Sequence, residues 1–213
     1  MTFSPEYSLY AKALIGVLVI VNPLGVIPVF LSLCGNRTPA ECRQVARRSA
    51  IAVAVILIAA ICAGDAMLGF FGIGIPAFRT GGGLLIVLMA ISMLHARQSH
   101  TRQTPAEAGE AGTKKNIAVV PLAIQLMAGP GAISLVIVDA HQAATWSDRL
   151  ILSAGILVVA LSVWLALSLA TPIGKRLGTT GLNISTRVMG LLLAAIGIQM
   201  LTSGLSKLLP GLA

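Results

Sequence analysis

The 213-residue chain is 56% hydrophobic and only 10% charged, with a mean hydropathy of +0.92. A soluble domain carries roughly 25% charged residues, so this composition excludes a water-soluble fold and leaves little chain for a catalytic domain. The formal charge of +8 comes without a basic stripe interleaved with aromatics. That speaks against a nucleic-acid partner and for Lys and Arg on the cytoplasmic loops of a membrane protein, facing anionic lipid.

Six apolar stretches are near the roughly 20 residues that cross a bilayer. The first, Ala13–Leu33, has no Lys or Arg before Lys12 and runs on past the length of a signal core, so it reads as a retained helix. It is interrupted by Asn22-Pro23-Leu24-Gly25-Val26-Ile27-Pro28. Proline removes a backbone N–H and clashes with the carbonyl one turn earlier. Lipid cannot solvate the freed groups, which are tolerated only where they are buried in protein or line a cavity. A lone proline would read as a kink; Asn22 beside it either braces the break or contacts a substrate.

The second stretch, Ser49–Gly72, contains Asp65. That acid reads either as interfacial, close to the end of its helix, or as a proton or cation relay. The third, Ile75–Leu94, carries Arg79 near its start and Gly81-Gly82-Gly83. These glycines lack the Lys and Ser or Thr of a phosphate loop and read as a face for close helix packing. Ala96–Asn116 is polar and of mixed charge, and reads as a flexible cytoplasmic linker.

The fourth stretch, Ile117–Val138, is broken at Gly129-Pro130-Gly131-Ala132-Ile133-Ser134, with Gln125 just before. Leu150–Thr171 and Val188–Ser206 complete the set. The expected fold is therefore an all-α membrane protein of six spans in two inverted three-span repeats, residues 1–95 and 117–213, joined by 96–116. Pro23 and Pro130 are 107 residues apart, as are Ala90–Leu94 and Gly197–Leu201; Arg79-x-x-Gly82 and Arg187-x-x-Gly190 match at 108. Three matches in order, within one residue, predict a duplication.

Helical rise places both breaks within about 5 Å of the bilayer centre. A matched pair of interrupted spans is the sequence signature of a transport site. Two half-helix ends there can offer N–H and C=O groups to a ligand bearing both carboxylate and ammonium. The candidate substrate site is Asn22, Pro23, Gly25, Pro28, Gln125, Gly129, Pro130, Gly131 and Ser134, with Asp65 as candidate ion-coupling group. Cys34, Cys42 and Cys62 form no C-x-x-C, and His95, His100 and His141 show no metal-ligand spacing. No enzyme, cofactor or metal role is expected. Eleven of the fifteen Lys and Arg fall in the loops after spans one, three and five, which predicts that both termini lie outside the cytoplasm.

Asn22–Phe30 and Gly129–Ser134, with Phe78-Arg79 leading to Gly82-Gly83-Leu84-Leu85 and the run Arg187–Gln199, resemble motifs of the MarC family over essentially the whole chain. The resemblance implies a bacterial inner-membrane protein, in which the charge bias makes both termini periplasmic. It further implies, as for SnatA-type members, secondary transport of small neutral amino acids such as glycine or alanine. LysE-type exporters and DsbD-type electron carriers share six-span inverted repeats, but the latter need a cysteine in each broken helix and none stands there. Export of another small metabolite or drug-like solute, and a non-transporting membrane scaffold, are the alternative readings. Direction, oligomeric state (a homo-oligomer included) and the coupling ion, protons or Na+, stay open.

Overall fold

Regular structure is entirely helical among the residues described by the computed structural model, 5–35, 37–95, 127–143, 145–209 and 211. The expected linker Ala96–Asn116 and Gln125 lie outside them. The helices are α1 Pro5–Val21, α2 Ile27–Cys34, α3 Pro39–Phe70, α4 Ile75–Leu94, α5 Pro130–Gln142, α6 Trp146–Ser168 and α7 Ala170–Leu208. Four segments are long and apolar enough to cross a membrane, namely α3, α4, α6 and Thr180–Leu208 of α7, whereas Tyr10–Val21 is apolar but shorter.

Local chemistry sets the helix ends. Thr38 and Glu41 form a reciprocal capping box at the start of α3, with Pro39 in the first turn where its missing N–H costs nothing. Thr145 and Asp148 repeat the device at α6. The exit of α3 is a Schellman motif, in which the Ile73 N–H donates to Leu68 O at 2.9 Å and the Gly72 N–H to Gly69 O at 3.1 Å. Gly72 has φ 65° there, a value glycine adopts without strain. Gly178 (φ 61°, ψ −176°) kinks α7 with a backbone conformation open essentially to glycine alone.

The caps of α3 and α6 explain two of the places where the helices depart from the apolar stretches. α4 has the expected bounds. The first stretch is split between α1 and α2, and α1 starts earlier, at Pro5. α3 begins ten residues before Ser49, carried by its capping box through Arg43, Arg47 and Arg48. α6 starts at Trp146 rather than Leu150, and α7 starts well before Val188. At α3 and α6 the capping boxes carry helix into polar sequence, to which hydropathy is blind; α7 starts without a side-chain cap.

Each long helix buries one stripe and leaves the rest of its apolar surface open. On α3 the stripe includes Ala46, Ala50, Val53, Leu57, Ile61 and Leu68, while Ile51, Val55 and Met67 are exposed. On α6, Ile156, Val159, Val163 and Leu167 are inside and Leu150, Leu157 and Leu161 outside. Apolar side chains all round a helix are those of a membrane span. Phe70, Phe71 and Trp146 are exposed at one end of the bundle, and Arg43, Arg47 and Arg48 at the other.

Between helices in lipid the hydrophobic effect gives no net drive, so close packing of small residues must hold them. α4 and α7 supply it, running antiparallel. A Cβ at Gly83 would lie 2.5 Å from the Leu201 backbone nitrogen, and one at Gly197 would lie 2.9 Å from that of Val87. Gly190 and Gly204 meet the α4 backbone in the same way at Ala90 and Pro76. Glycines at 190, 197 and 204 thus recur every seven residues, keeping one seam against the partner. Gly82 packs on Ser134 of α5 and Met200 of α7, whereas Gly81 meets nothing within 4 Å.

Gly197→Ala should therefore destabilise the folded protein by ~1–3 kcal/mol, the usual cost of overpacking, because the obstructing atoms include the backbone of Val87 and Gly83 as well as a Val87 methyl. Gly81→Ala should be neutral. Thermal aggregation of the detergent-solubilised variants, followed by size exclusion, reads the difference; equal midpoints would contradict this account of the α4–α7 seam.

Candidate functional site

The first break is built around Asn22. α1 ends at Val21, and Asn22 turns the chain at φ 43°, a left-handed conformation that Asn tolerates better than most residues. The Asn22 N–H still donates to Leu18 O at 3.0 Å. Its carbonyl accepts from the Gly25 N–H at 3.1 Å and its side-chain Oδ1 accepts from the same N–H at 3.2 Å. Asn22 and Pro23 are buried and Gly25 is half-buried. A Cβ at Gly25 would collide with the Asn22 amide. Of the two roles open to Asn22, the geometry displays the brace. α2 then starts at Ile27 with Pro28 in its first turn.

The second break ends at Gly129, whose extended backbone (φ −69°, ψ 176°) opens α5 with Pro130 in the first turn. The Ile133 N–H donates to Gly129 O at 3.1 Å. Met127, Ala128, Gly129 and Gly131 are buried and Pro130 is exposed. Gly131 lies against α4, where a Cβ would come within 2.9 Å of Met89 Sδ. Ser134 is buried one turn further on, beside Gly82 of α4.

The fold brings these two breaks to one level. α1 and α5 run antiparallel, and a Cβ at Gly16 would touch the Leu135 side chain at 3.1 Å. Six residues onward along α1 is Asn22; six residues back along α5 is Gly129. Both breaks therefore sit about 9 Å from that crossing on the same side. Two helix starts, α2 and α5, open there; Pro28 and Pro130 carry no N–H and the Ile27 N–H donates to Leu24 O at 3.2 Å, while other first-turn N–H groups have no intrahelical acceptor.

Asp65 is not part of this assembly. It lies near the end of α3, where Oδ2 accepts from Arg149 Nη2 and Oδ1 is 3.0 Å from His141 Nδ1. Its side chain is 30% exposed. His141 is eleven residues along α5 from Pro130, so the cluster stands about 16 Å beyond the break. The three side chains close the bundle at the end that also holds Tyr10, whose hydroxyl donates to Asp148 Oδ1 at 2.7 Å.

A second acid escaped the sequence reading. Asp139 falls one residue past Val138, where the apolar stretch Ile117–Val138 ends. Its Oδ2 is buried and has no hydrogen-bond partner among the described residues. It lines a cavity of about 160 Å³ between α1, α3, α5 and α6. Another cavity, of about 560 Å³, opens at the opposite end beside Phe30, Cys34, Arg37, Arg43 and Thr171. Neither includes Asn22, Gly25, Gly129, Gly131 or Ser134 in its walls.

A model of the MarC family, described as integral membrane proteins, matches residues 7–209. The chain is similar to the UPF0056 membrane protein YhcE of Escherichia coli, 38% identical over 207 residues, covering 97% of this chain and 96% of that protein. A UPF0056 membrane protein of Aquifex aeolicus is 34% identical over 210 residues, covering 98% of both. YvbG of Bacillus subtilis, another UPF0056 membrane protein, is 33% identical over 205 residues, covering 96% of this chain and 97% of that one. No solved structure matches.

Asn22→Ala should lose about 1 kcal/mol more stability than Asn22→Gly, because alanine pays for the left-handed conformation that glycine adopts freely. Both variants lose the side-chain bond to Gly25. Parallel thermal denaturation of the two solubilised variants measures the gap; a more stable alanine variant would mean that the backbone at Asn22 is not held at positive φ.

Proposed function

The chain belongs to the MarC family of integral membrane proteins, and on that premise we propose that it is a secondary transporter of small neutral amino acids such as glycine or alanine. The substrate lies between the two breaks and is passed across by alternating access. One observation carries the reading: two buried interruptions brought to a single level, each followed by a fresh helix start. The N–H groups opening α2 and α5 suit a carboxylate, and the carbonyls ending α1 suit an ammonium. Glycine at 129 lets a small ligand approach the backbone closely, whereas the space beside Gly25 is taken by the Asn22 amide that braces the break.

Contacts between α4 and α7 support an inverted repeat. A Cβ at Gly83 would lie 2.8 Å from Gly197 O, and one at Gly190 would lie 3.3 Å from Ala90 O. Residues 83 and 90 become 190 and 197 on adding 107, so the two contacts exchange under the expected duplication. Gly82 against Met200 and Gly190 against Met93 exchange likewise within one residue. The arginines beside the larger cavity and the charge bias of the loops support a cytoplasmic assignment for that end. Both termini then lie on the outer face of a bacterial inner membrane, with 96–116 in the cytoplasm.

Purified protein in proteoliposomes should exchange radiolabelled glycine by counterflow above empty vesicles, with inhibition by unlabelled alanine but not by lysine or glutamate. Ser134→Ala should weaken apparent affinity about tenfold, the loss of one buried hydrogen bond, while the protein stays monodisperse. Absence of counterflow for every small neutral amino acid would end the proposal.

Topology has a separate check. Reporters fused after Ala213 and within 96–116 should report opposite compartments; the same compartment for both would rule out the inverted arrangement.

A further inference from the structure

The cavity at the Tyr10 end has walls of aliphatic side chains, among them Leu14, Val17, Ile61 and Ile156, and two polar side chains, Tyr10 and Asp139. The Tyr10 hydroxyl is committed to Asp148. Asp139 has a buried oxygen with no donor. An ionised carboxylate enclosed by apolar groups without a donor is costly, and an acid within a membrane-embedded helix is by default a functional group. A hard metal cation would require several oxygen ligands, and this cavity offers one uncommitted carboxyl. What a single carboxyl can hold unaided is a proton.

We propose that Asp139 is a proton-binding site, loaded through this cavity, and that Arg79 becomes its partner when the proton leaves. α4 packs antiparallel on α5, Gly82 against Ser134 and Met89 against Gly131, which brings Arg79 near the level of Asp139, while its Nη1 donates to Ser203 Oγ of α7 at 3.0 Å. On loading, an O–H bond forms on one Asp139 oxygen. On release the proton passes to water in the cavity, and the electron pair left on oxygen accepts an Arg79 N–H in place of Ser203. The other charged groups around this end have different positions or partners: Asp65, Arg149 and His141 hold one another, Asp148 holds Tyr10, and Lys12 and Lys207 are exposed. Since α7 carries Ser203, the exchange ties protonation on α5 to the α4–α7 pair. The site stands on the cavity and the unpartnered oxygen; only its coupling to solute movement rests on the transport reading.

Infrared difference spectroscopy on the full chain in phosphatidylcholine vesicles tests this directly. The wild type should show the carbonyl stretch of a neutral carboxylic acid at neutral pH, vanishing as pH rises. Asp139→Asn should lose that band, Asp139→Glu should keep it at a shifted frequency, and Asp65→Asn should leave it unchanged. In Arg79→Gln the band should persist to higher pH. Absence of the band in the wild type, or its survival in Asp139→Asn, overturns the site. The glutamate variant guards against loss through misfolding. Counterflow without the band refutes the site and spares the transport reading; the band without counterflow does the reverse.

Discussion

Backbone polar groups inside hydrocarbon must find partners within the protein, and this molecule interrupts its first apolar stretch between α1 and α2 and opens α5 on buried chain. At the first break, Asn22 gives both its main-chain and side-chain oxygens to the N–H of Gly25. At the second, the extended Gly129 and Pro130 open a helix, and the described chain from Met127 to Gly129 is buried. Neither interruption could face lipid. The long helices α3, α4, α6 and α7 follow from that need, enclosing short broken elements that cannot shield themselves.

The enclosure is held by shape rather than by a driving force. α4 and α7 approach through glycines at 83, 190, 197 and 204, and α4 also receives α5 at Gly82. Residues from the two sides of the 96–116 segment are therefore interlocked at backbone distance. α3 and α6 pair more loosely through larger side chains, with Gly64 admitting Ile137 of α5. The two breaks thus stand among a tight pair and a looser pair. Such a difference in packing is what movement of one helix group against another would exploit.

Much of this was legible in the chain. Hydropathy delimited α4 correctly and located both breaks, because proline and glycine at mid-span have few other readings. It failed at Arg43–Arg48 and at Trp146–Leu150, where capping boxes (Thr38 with Glu41, Thr145 with Asp148) carry helix beyond the apolar run. Those boxes were visible as Thr-x-x-Glu and Thr-x-x-Asp. Asp139 went unnoticed because its importance lies in a missing partner, a property of the assembled helices. The pairing of Asp65 with Arg149 and His141 depends on contacts 76 and 84 residues apart in sequence, beyond the reach of any local pattern. The division of labour between Asn22 and Gly25 is likewise visible only once φ is known.

The two ends of α3 act as a ruler. Arg48 and Phe70 are 22 residues apart, about 33 Å by helical rise, against roughly 30 Å for the hydrocarbon of a typical bilayer. Guanidinium groups favour the headgroup layer, and the exposed Phe70, Phe71 and Trp146 form an aromatic fringe at the far boundary. α3 is thereby long enough to cross a bilayer of ordinary thickness. A thinner bilayer forces α3 to lean, and α3 borders both the cavity beside Asp139 and, through Pro39 and Arg43, the cavity at the opposite end. Lipid chain length thus becomes a mechanical input to both mouths of the protein.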